Sequence, residues 1–429
     1  MFLGVAGSAC SRHGSSAPSA TPAAVDQGAS PTARSATDTA RDDRWREDLQ
    51  YLARELVARH PNAFFATSKA NFDRAVANLN SAIPRLRDDE VIAGMARLVA
   101  LLDDGHTVLP VLQKGTGFRV YPLSLAWFPD GLYVVAARQQ DRDAVGKRIV
   151  RIGQMSTEQA LAAVAPLVSH ENNQWLLAQS PGYLVTAEVL HDAGVEGDAD
   201  HGHFLLDANG KQSLLDLDAV APSSVGQLVS APNLSGDALP LYRRQPAKAY
   251  WFQYLPGQQT AYVQYNRAVD DPALPFATFS DQVFAYVDSH PVARFVVDLR
   301  NNVGGDSRVI QPLINALAAR PALAARGCLF VIVGRNTFSS GLLAATDLKK
   351  AASPLLFGEP TGGKPDSYGD VLTFALPNSG LSVTYSTKYF KTQDQDTPSL
   401  DPDVNVSISA ADFFAGRDPV LEAVLAYHP

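Results

Sequence analysis

Apolar residues recur at Leu49, Leu52, Leu56 and Val57 with charges between them, the spacing of one buried helical face. Folding is therefore expected to begin near Asp42 with a helix. Two further periodic stretches, 71–86 and 89–102, predict a small helical bundle. It ends at "LLDDGHTVLP", where Gly105 is expected to stop the helix and leave His106 on a loop or strand start. From Gly117 the pattern shortens to strands, "RVYPLSLAWF" and "GLYVVAA", joined by a Pro-Asp-Gly turn. "GKRIVRIGQMSTEQALAAV" then reads as strand, glycine turn and amphipathic helix. Residues 200–240, dense in polar residues, glycine and proline, predict hairpins and loops. The last third alternates more plainly. "TAYVQYNR", "ARFVVDLR", "LFVIVG" and "PLLFG" read as strands, with the helix "SRVIQPLINALAAR" after the glycine turn "NNVGGD". That alternation predicts an α/β layer on a largely parallel sheet. "VLTFALPNSGLSVTYSTKYF" adds a hairpin turning at Asn378 to Gly380.

The pattern divides the chain into a tether (1–41), a helical domain (42–110), a β-rich region (111–240) and an α/β core (241–429). The tether opens with "MFLGVAGSAC" and continues in Ser, Ala, Thr and Pro, a composition that buries too little apolar surface to fold. Its opening resembles the end of a bacterial lipoprotein signal with Cys10 lipidated. That resemblance implies a membrane tether and a cell-envelope location, periplasmic or lipid-anchored; an ordinary tail on a cytoplasmic protein is the alternative. A net charge of −8 offers no basic stripe for a phosphate backbone, so a nucleic-acid partner is not expected. Two cysteines exclude a disulfide scaffold, and Cys328 reads as a small buried hydrophobe at a strand start.

The candidate chemistry begins in "VIVGRNTFSSGLLAATDLKK", residues 331–350, where a tight polar turn with two serines joins a strand to a helix. Ser339 is there either as an N-cap accepting from the first free amides, or as a nucleophile. In the second case the helix dipole and unpaired N–H groups stabilise an alkoxide and an oxyanion. A nucleophile also needs a base.

"LLDDGHT", "FVVDLRNNVGGD", "NTFSSGLLAA", "GEPTGGK" and "DTPSLDPDVNV" stand in an order that resembles the tail-specific or C-terminal processing peptidases. The same superfamily includes the tricorn core and the interphotoreceptor retinoid-binding repeats. The resemblance runs from Asp42 to the end. It implies a crotonase-like α/β peptidase core behind the helical bundle, a divergent PDZ-like module in the β-rich region, and peptidase activity on an extended peptide or protein. In the processing peptidases a lysine base follows the serine by 25 residues, and Lys364 stands 25 residues after Ser339, which selects Ser339 over Ser340. The resemblance further implies the Ser340 amide as one oxyanion donor and an amide of Gly304 or Gly305 as the other.

The tricorn branch uses a histidine base, matched by His106, and Asp396 sits where that branch has a glutamate. Both bases are thus present. A neutral imidazole accepts a proton at neutral pH without adjustment, whereas a lysine must first be buried, and "PTGGKPDSYGD" is polar. His106 is therefore the preferred base, with Lys364 orienting substrate or stabilising charge. Two departures stand out. Leu342 occupies the place where the processing peptidases usually have Glu, and Gly105 the place of a serine before the tricorn histidine. Orientation of the imidazole is left to Asp104, Thr107 or Asp396. Asp298 and Arg300 read as an ion pair fixing the sheet end.

No cofactor is implied, and no metal. Asp198, Asp200, His201 and His203 of "DADHGHF" read as a solvated turn with no further ligand in view. Two other functions fit the same motifs: a non-catalytic peptide- or lipid-binding protein on this fold, and an esterase or amidase for small substrates.

Overall fold

The computed structural model describes residues 36–230, 234 and 236–428. Cys10 and the expected lipid anchor lie outside them. Three helices open the chain, α1 (Ala36–Arg59), α2 (Lys69–Ala82) and α3 (Asp88–Ala100). Helix α1 starts ahead of Asp42 because Arg41 is tied down, donating to the carbonyls of Ile83 (3.1 Å) and Leu86 (2.7 Å) and to Asp88. Leu49, Leu52 and Leu56 of its inner face are fully buried. Ser68 caps α2 by accepting from the Asn71 amide.

A β-rich segment follows: β1 (Leu123–Phe128), β2 (Gly131–Arg138), β3 (Arg148–Ile152), β4 (Met155–Ser156), then α4 (Thr157–Val164), α5 (Asn173–Tyr183), α6 (Ala187–Asp192), β5 (His201–Ala208), β6 (Lys211–Asp218) and β7 (Leu228–Ser230). Its antiparallel sheet runs β1-β2-β3-β5-β6, with β4 on β3 and β7 on β2. Helices α5 and α6 are additions to the expected pattern. The division expected at residue 110 does not separate two cores. One apolar cluster runs from Leu49 through Val99, Leu132 and Ile149 to Leu217, so the first helices and this sheet are packed as one body.

The last segment contains β8 (Tyr250–Leu255), β9 (Thr260–Tyr265), α7 (Phe276–Ser289), β10 (Arg294–Asp298), α8 (Gln311–Ala318), α9 (Pro321–Ala324), β11 (Leu329–Val333), α10 (Ser340–Ala351), β12 (Leu355–Gly358), β13 (Ser367–Ala375), β14 (Ser382–Phe390), β15 (Val404–Asn405), α11 (Ala410–Ala415) and α12 (Pro419–Ala426). Its main sheet runs β15-β12-β11-β10-β9-β8 and is parallel except for the β8–β9 pair. The expected α/β layer with a largely parallel sheet is present. Strand β11, Leu329 to Val333, is buried along its whole length, as a central strand covered on both faces must be. Cys328 sits just before it and is only half-buried, because its turn precedes the covered part of the strand.

Two devices aim this sheet's edge at the site. Arg300, just past β10, is buried between Asp298 and Asp418, bonding Asp418 through both terminal nitrogens at 2.8 and 3.0 Å. Tyr262 donates to the same Asp298 at 2.7 Å. The hairpin β13–β14 leaves the sheet and lies against the first body. Asp48 of α1 accepts from the amides of Asn378 (2.8 Å) and Ser379 (2.9 Å) at its turn. Among the described residues, no helix is long and apolar enough to cross a membrane.

Candidate active site

Strand β11 ends in a turn that delivers Ser339 to the start of α10 with φ 50° and ψ −127°. L-residues with a side chain avoid this region, and holding one there costs on the order of 1–3 kcal/mol. The capping function expected of an ordinary serine is missing: its hydroxyl makes no cap bond to the helix amides. The turn is locked from beneath. Phe338 donates to the Asn302 carbonyl at 3.0 Å, and Thr337 bonds the Leu299 carbonyl at 3.0 Å. A strained serine on a strand-to-helix turn is the arrangement that exposes a nucleophilic oxygen.

The glycine turn after β10 passes directly beneath. A Cβ on Gly304 would lie 2.7 Å from the Ser339 Cβ, and one on Gly305 would lie 2.1 Å from the Ala268 carbonyl, so neither position admits a side chain. Their amides differ in a way the sequence does not reveal. Gly304 N–H is spent on the Asn302 side chain at 2.9 Å. Gly305 N–H and Ser340 N–H have no partner among the described residues. Of the two glycines from which one donor is expected, Gly305 is the one whose amide remains available beside that of Ser340. The Ser340 hydroxyl is occupied, donating to the Gly305 carbonyl at 2.6 Å, and so ties the helix start to the glycine turn.

His106 reaches the same place from the first body. Asp103 takes a left-handed turn after α3, with φ 54°. Gly105 is not what ends α3, which stops at Ala100. Glycine is needed there for packing, since a Cβ would meet Phe338 Cζ at 3.0 Å and Trp175 Cδ1 at 3.2 Å. Phe338 stacks on the imidazole, with ring centroids 4.4 Å apart, and Trp175 stacks on Phe338 at 3.9 Å. His106 and Ser339 line one cavity of about 690 Å³, together with Phe338, Leu342, Tyr368 and Phe390. Neither imidazole nitrogen has a hydrogen-bond partner among the described residues, although both are buried. Without substrate such bonds are commonly still open.

Asp104 holds the His106 loop. It is buried and accepts from Thr107 Oγ1 (2.5 Å), Ser386 Oγ (2.6 Å) and the His106 amide (2.9 Å), with His60 Nε2 at 3.1 Å. It is therefore not the surface carboxylate its position near a helix end suggests. Burial alone would push its carboxyl up, but these bonds and the nearby His106 hold it below the usual carboxylate range. A depressed folded value means stability present above the unfolded pKa and lost as pH falls through the folded one. Asp104→Ala leaves the Thr107 and Ser386 hydroxyls, the His106 amide and His60 Nε2 without this acceptor, at about 1–3 kcal/mol for each buried donor left unsatisfied. It is expected to lower unfolding free energy by about 3 kcal/mol or more in urea titration, and to flatten the acid limb of stability.

Lys364 and Asp396 are brought together, but not to the serine. Lys364 Nζ and Asp396 Oδ2 are 2.7 Å apart, partly exposed, and neither residue lines the Ser339 cavity. The Lys364 backbone does approach the site, donating to Glu171 at 3.2 Å. Glu171 is the residue that sequence reasoning missed. It precedes α5 with its side chain 6% exposed, accepts from the Gly105 amide at 3.3 Å, and places Oε1 3.7 Å from His106 Nδ1. Asp104, His106 and Glu171 bring potential ligand atoms within 4.8 Å of one another, but the oxygens of Asp104 are already committed to donors. The "DADHGHF" residues do not converge: Asp200 pairs with Arg119, and His203 lies beside Glu196.

No family model and no curated protein sequence matches the chain. Solved structures do. Mature CPAF complexed with lactacystin superposes with a TM-score of 0.64 at 12% identity, covering 90% of this chain and 98% of that one. The chain shares its fold with CPAF. A serine-to-alanine mutant of CPAF gives a TM-score of 0.63 at 10% identity, over 90% of this chain and 99% of that one. A photosystem II D1 C-terminal processing protease aligns more loosely, at a TM-score of 0.39 and 15% identity, over 84% of this chain and 92% of that one. The likeness to CPAF covers 90% of this chain and so extends over both bodies.

Proposed function

We propose that this chain is a serine peptidase acting on extended polypeptide through an acyl-enzyme. Ser339 is the nucleophile, His106 its base, and the amides of Ser340 and Gly305 receive the oxyanion. The observation that carries this reading is the backbone of Ser339, strained at a helix start with an uncapped hydroxyl, in a cavity shared with a histidine whose ring nitrogens make no hydrogen bond among the described residues. Strain at a fixed serine has no structural return, because a glycine would hold the same turn without it.

In the first step Ser339 Oγ bonds the scissile carbonyl carbon as its proton passes to His106. The carbonyl π pair moves onto oxygen, toward two amides at the positive end of α10. His106 then gives the proton to the leaving amine, and water repeats the sequence on the ester. Strand β13 supports a polypeptide substrate over a small ester. Ser367 to Val371 line the cavity, and among the described residues β13 pairs only with β14, leaving its other edge for an added strand. A crotonase-like core and a divergent PDZ-like module for a substrate terminus belong to the same proposal. So does lipidation at Cys10 with a cell-envelope location, carried by the resemblance of "MFLGVAGSAC" to the end of a lipoprotein signal.

A fluorophosphonate probe tests the chemistry, and casein against a short ester tests the substrate class. Labelling of one serine with casein turnover is expected. An unlabelled protein would leave a binding function, and hydrolysis of the ester alone would leave an esterase.

A further inference from the structure

We infer that Glu171 is the positioning carboxylate of this site: it orients His106 through Nδ1 and balances the imidazolium formed when His106 takes the Ser339 proton. The inference rests on the proposed peptidase reading and assigns a part that neither sequence candidate fills. Three carboxylates come into question, and the geometry separates them. Asp396 is paired with Lys364 outside the cavity. Asp104 lies 3.8 Å from His106 Nδ1 but already meets four donors, the His106 amide at Oδ1 and Thr107, Ser386 and His60 at Oδ2, whereas Glu171 meets two, one on each oxygen. Asp104 shapes the loop. Glu171 faces the ring from a different element, at 3.7 Å, with its side chain nearly closed to solvent.

That separation exceeds a hydrogen bond and suits an ion pair that tightens when the ring gains its second proton. The balance is simple. The serine proton goes to Nε2, the nitrogen left for the cavity when Nδ1 faces Glu171, and the carboxylate stays ionised throughout. The carboxylate itself is fixed by two backbone donors, Gly105 on the histidine's own loop and Lys364 N–H on the loop after β12. It therefore ties the first body to the second at the point where the site closes. Burial pushes its carboxyl above the ordinary value, while His106 pulls it back, as expected of a carboxylate whose ionised form depends on a cation beside it.

The other charged groups that contact the ring or line its cavity are Asp104 on its own loop, Lys388 and Asp370 on the hairpin, and Asp306 and Arg308 on the glycine turn. All stay constant in the test, which compares Glu171→Gln and Glu171→Asp with the full chain. Glu171→Gln keeps the shape and removes the charge. Its kcat is expected to fall about tenfold or more with KM within about twofold. The ascending limb of kcat against pH should move to lower pH by about one unit, because an opposite charge at this distance raises an imidazole's proton affinity by that order. Glu171→Asp keeps a charge drawn back by one methylene and should recover part of both losses. If Glu171→Gln does not fold, a smaller downward shift of the limb in Glu171→Asp carries the same test. An unmoved limb in whichever variant folds overturns the inference, even where kcat has dropped. Ser339→Ala and His106→Ala run alongside: if either retains full activity, it is the peptidase reading that has failed.

Discussion

Ser339→Ala is expected to abolish fluorophosphonate labelling and to lower kcat by several orders of magnitude, on the order of 10⁵ or more, as loss of a serine nucleophile does in unrelated hydrolases. Ser340→Ala separates the adjacent position. Its backbone amide survives the substitution, so the oxyanion donor remains. Only the hydroxyl bond to the Gly305 carbonyl is lost, and one such bond is worth about 1 kcal/mol net, or roughly a fivefold effect. Retained labelling in the first variant with loss in the second would move the nucleophile by one residue. Ser339→Gly adds a stability readout. At φ 50° and ψ −127° a glycine is unstrained, so this inactive variant should be more resistant to urea by about 1 kcal/mol, a gain Ser339→Ala cannot show.

The legible parts of this chain were those whose physics is local. Strands β9 to β12 carry runs such as "FVVD" and "LFVIV" that only a doubly covered sheet accommodates, and both their type and their parallel order followed from the helices between them. The two serines were legible for the same reason, since a strand-to-helix turn is a local event. Glu171 was not. It stands 65 positions from His106, and only folding brings their atoms to 3.7 Å. The helix it precedes carries Pro181 and no clear apolar face, so nothing periodic marked the segment. The one available signal was Asn172, three residues before Trp175, whose amide it caps at 2.8 Å. Gly304 and Gly305 could not be ranked either, because the distinction rests on the Asn302 side chain, which takes one amide and leaves the other. The joint core of the first two segments was hidden because a contact such as α3 against α6 leaves no pattern in either helix alone.

His106→Ala and Lys364→Ala, assayed on one substrate across pH, should diverge by orders of magnitude. The argument is spatial before it is chemical. A base must lie within hydrogen-bond reach of the proton it takes, or be able to reach it in the substrate complex. His106 lines the Ser339 cavity, is held by stacking on Phe338, and makes no hydrogen bond through either ring nitrogen among the described residues. The Lys364 ammonium lies outside that cavity, 2.7 Å from a carboxylate that matches its charge. His106→Ala should therefore lower kcat by at least 10³-fold with KM little changed, the signature of an interaction made only in the transition state. Lys364→Ala should keep kcat within about threefold, with any remaining effect on KM, and lose at most about 1 kcal/mol of stability with its partly exposed ion pair. The wild-type rate should fall as pH drops, since a protonated imidazole cannot accept the serine proton. Should Lys364→Ala prove inactive while His106→Ala turns over normally, the ion pair with Asp396 would have to open during catalysis. Asp396→Asn would then raise activity by freeing the amine, whereas with His106 as the base it leaves kcat unchanged.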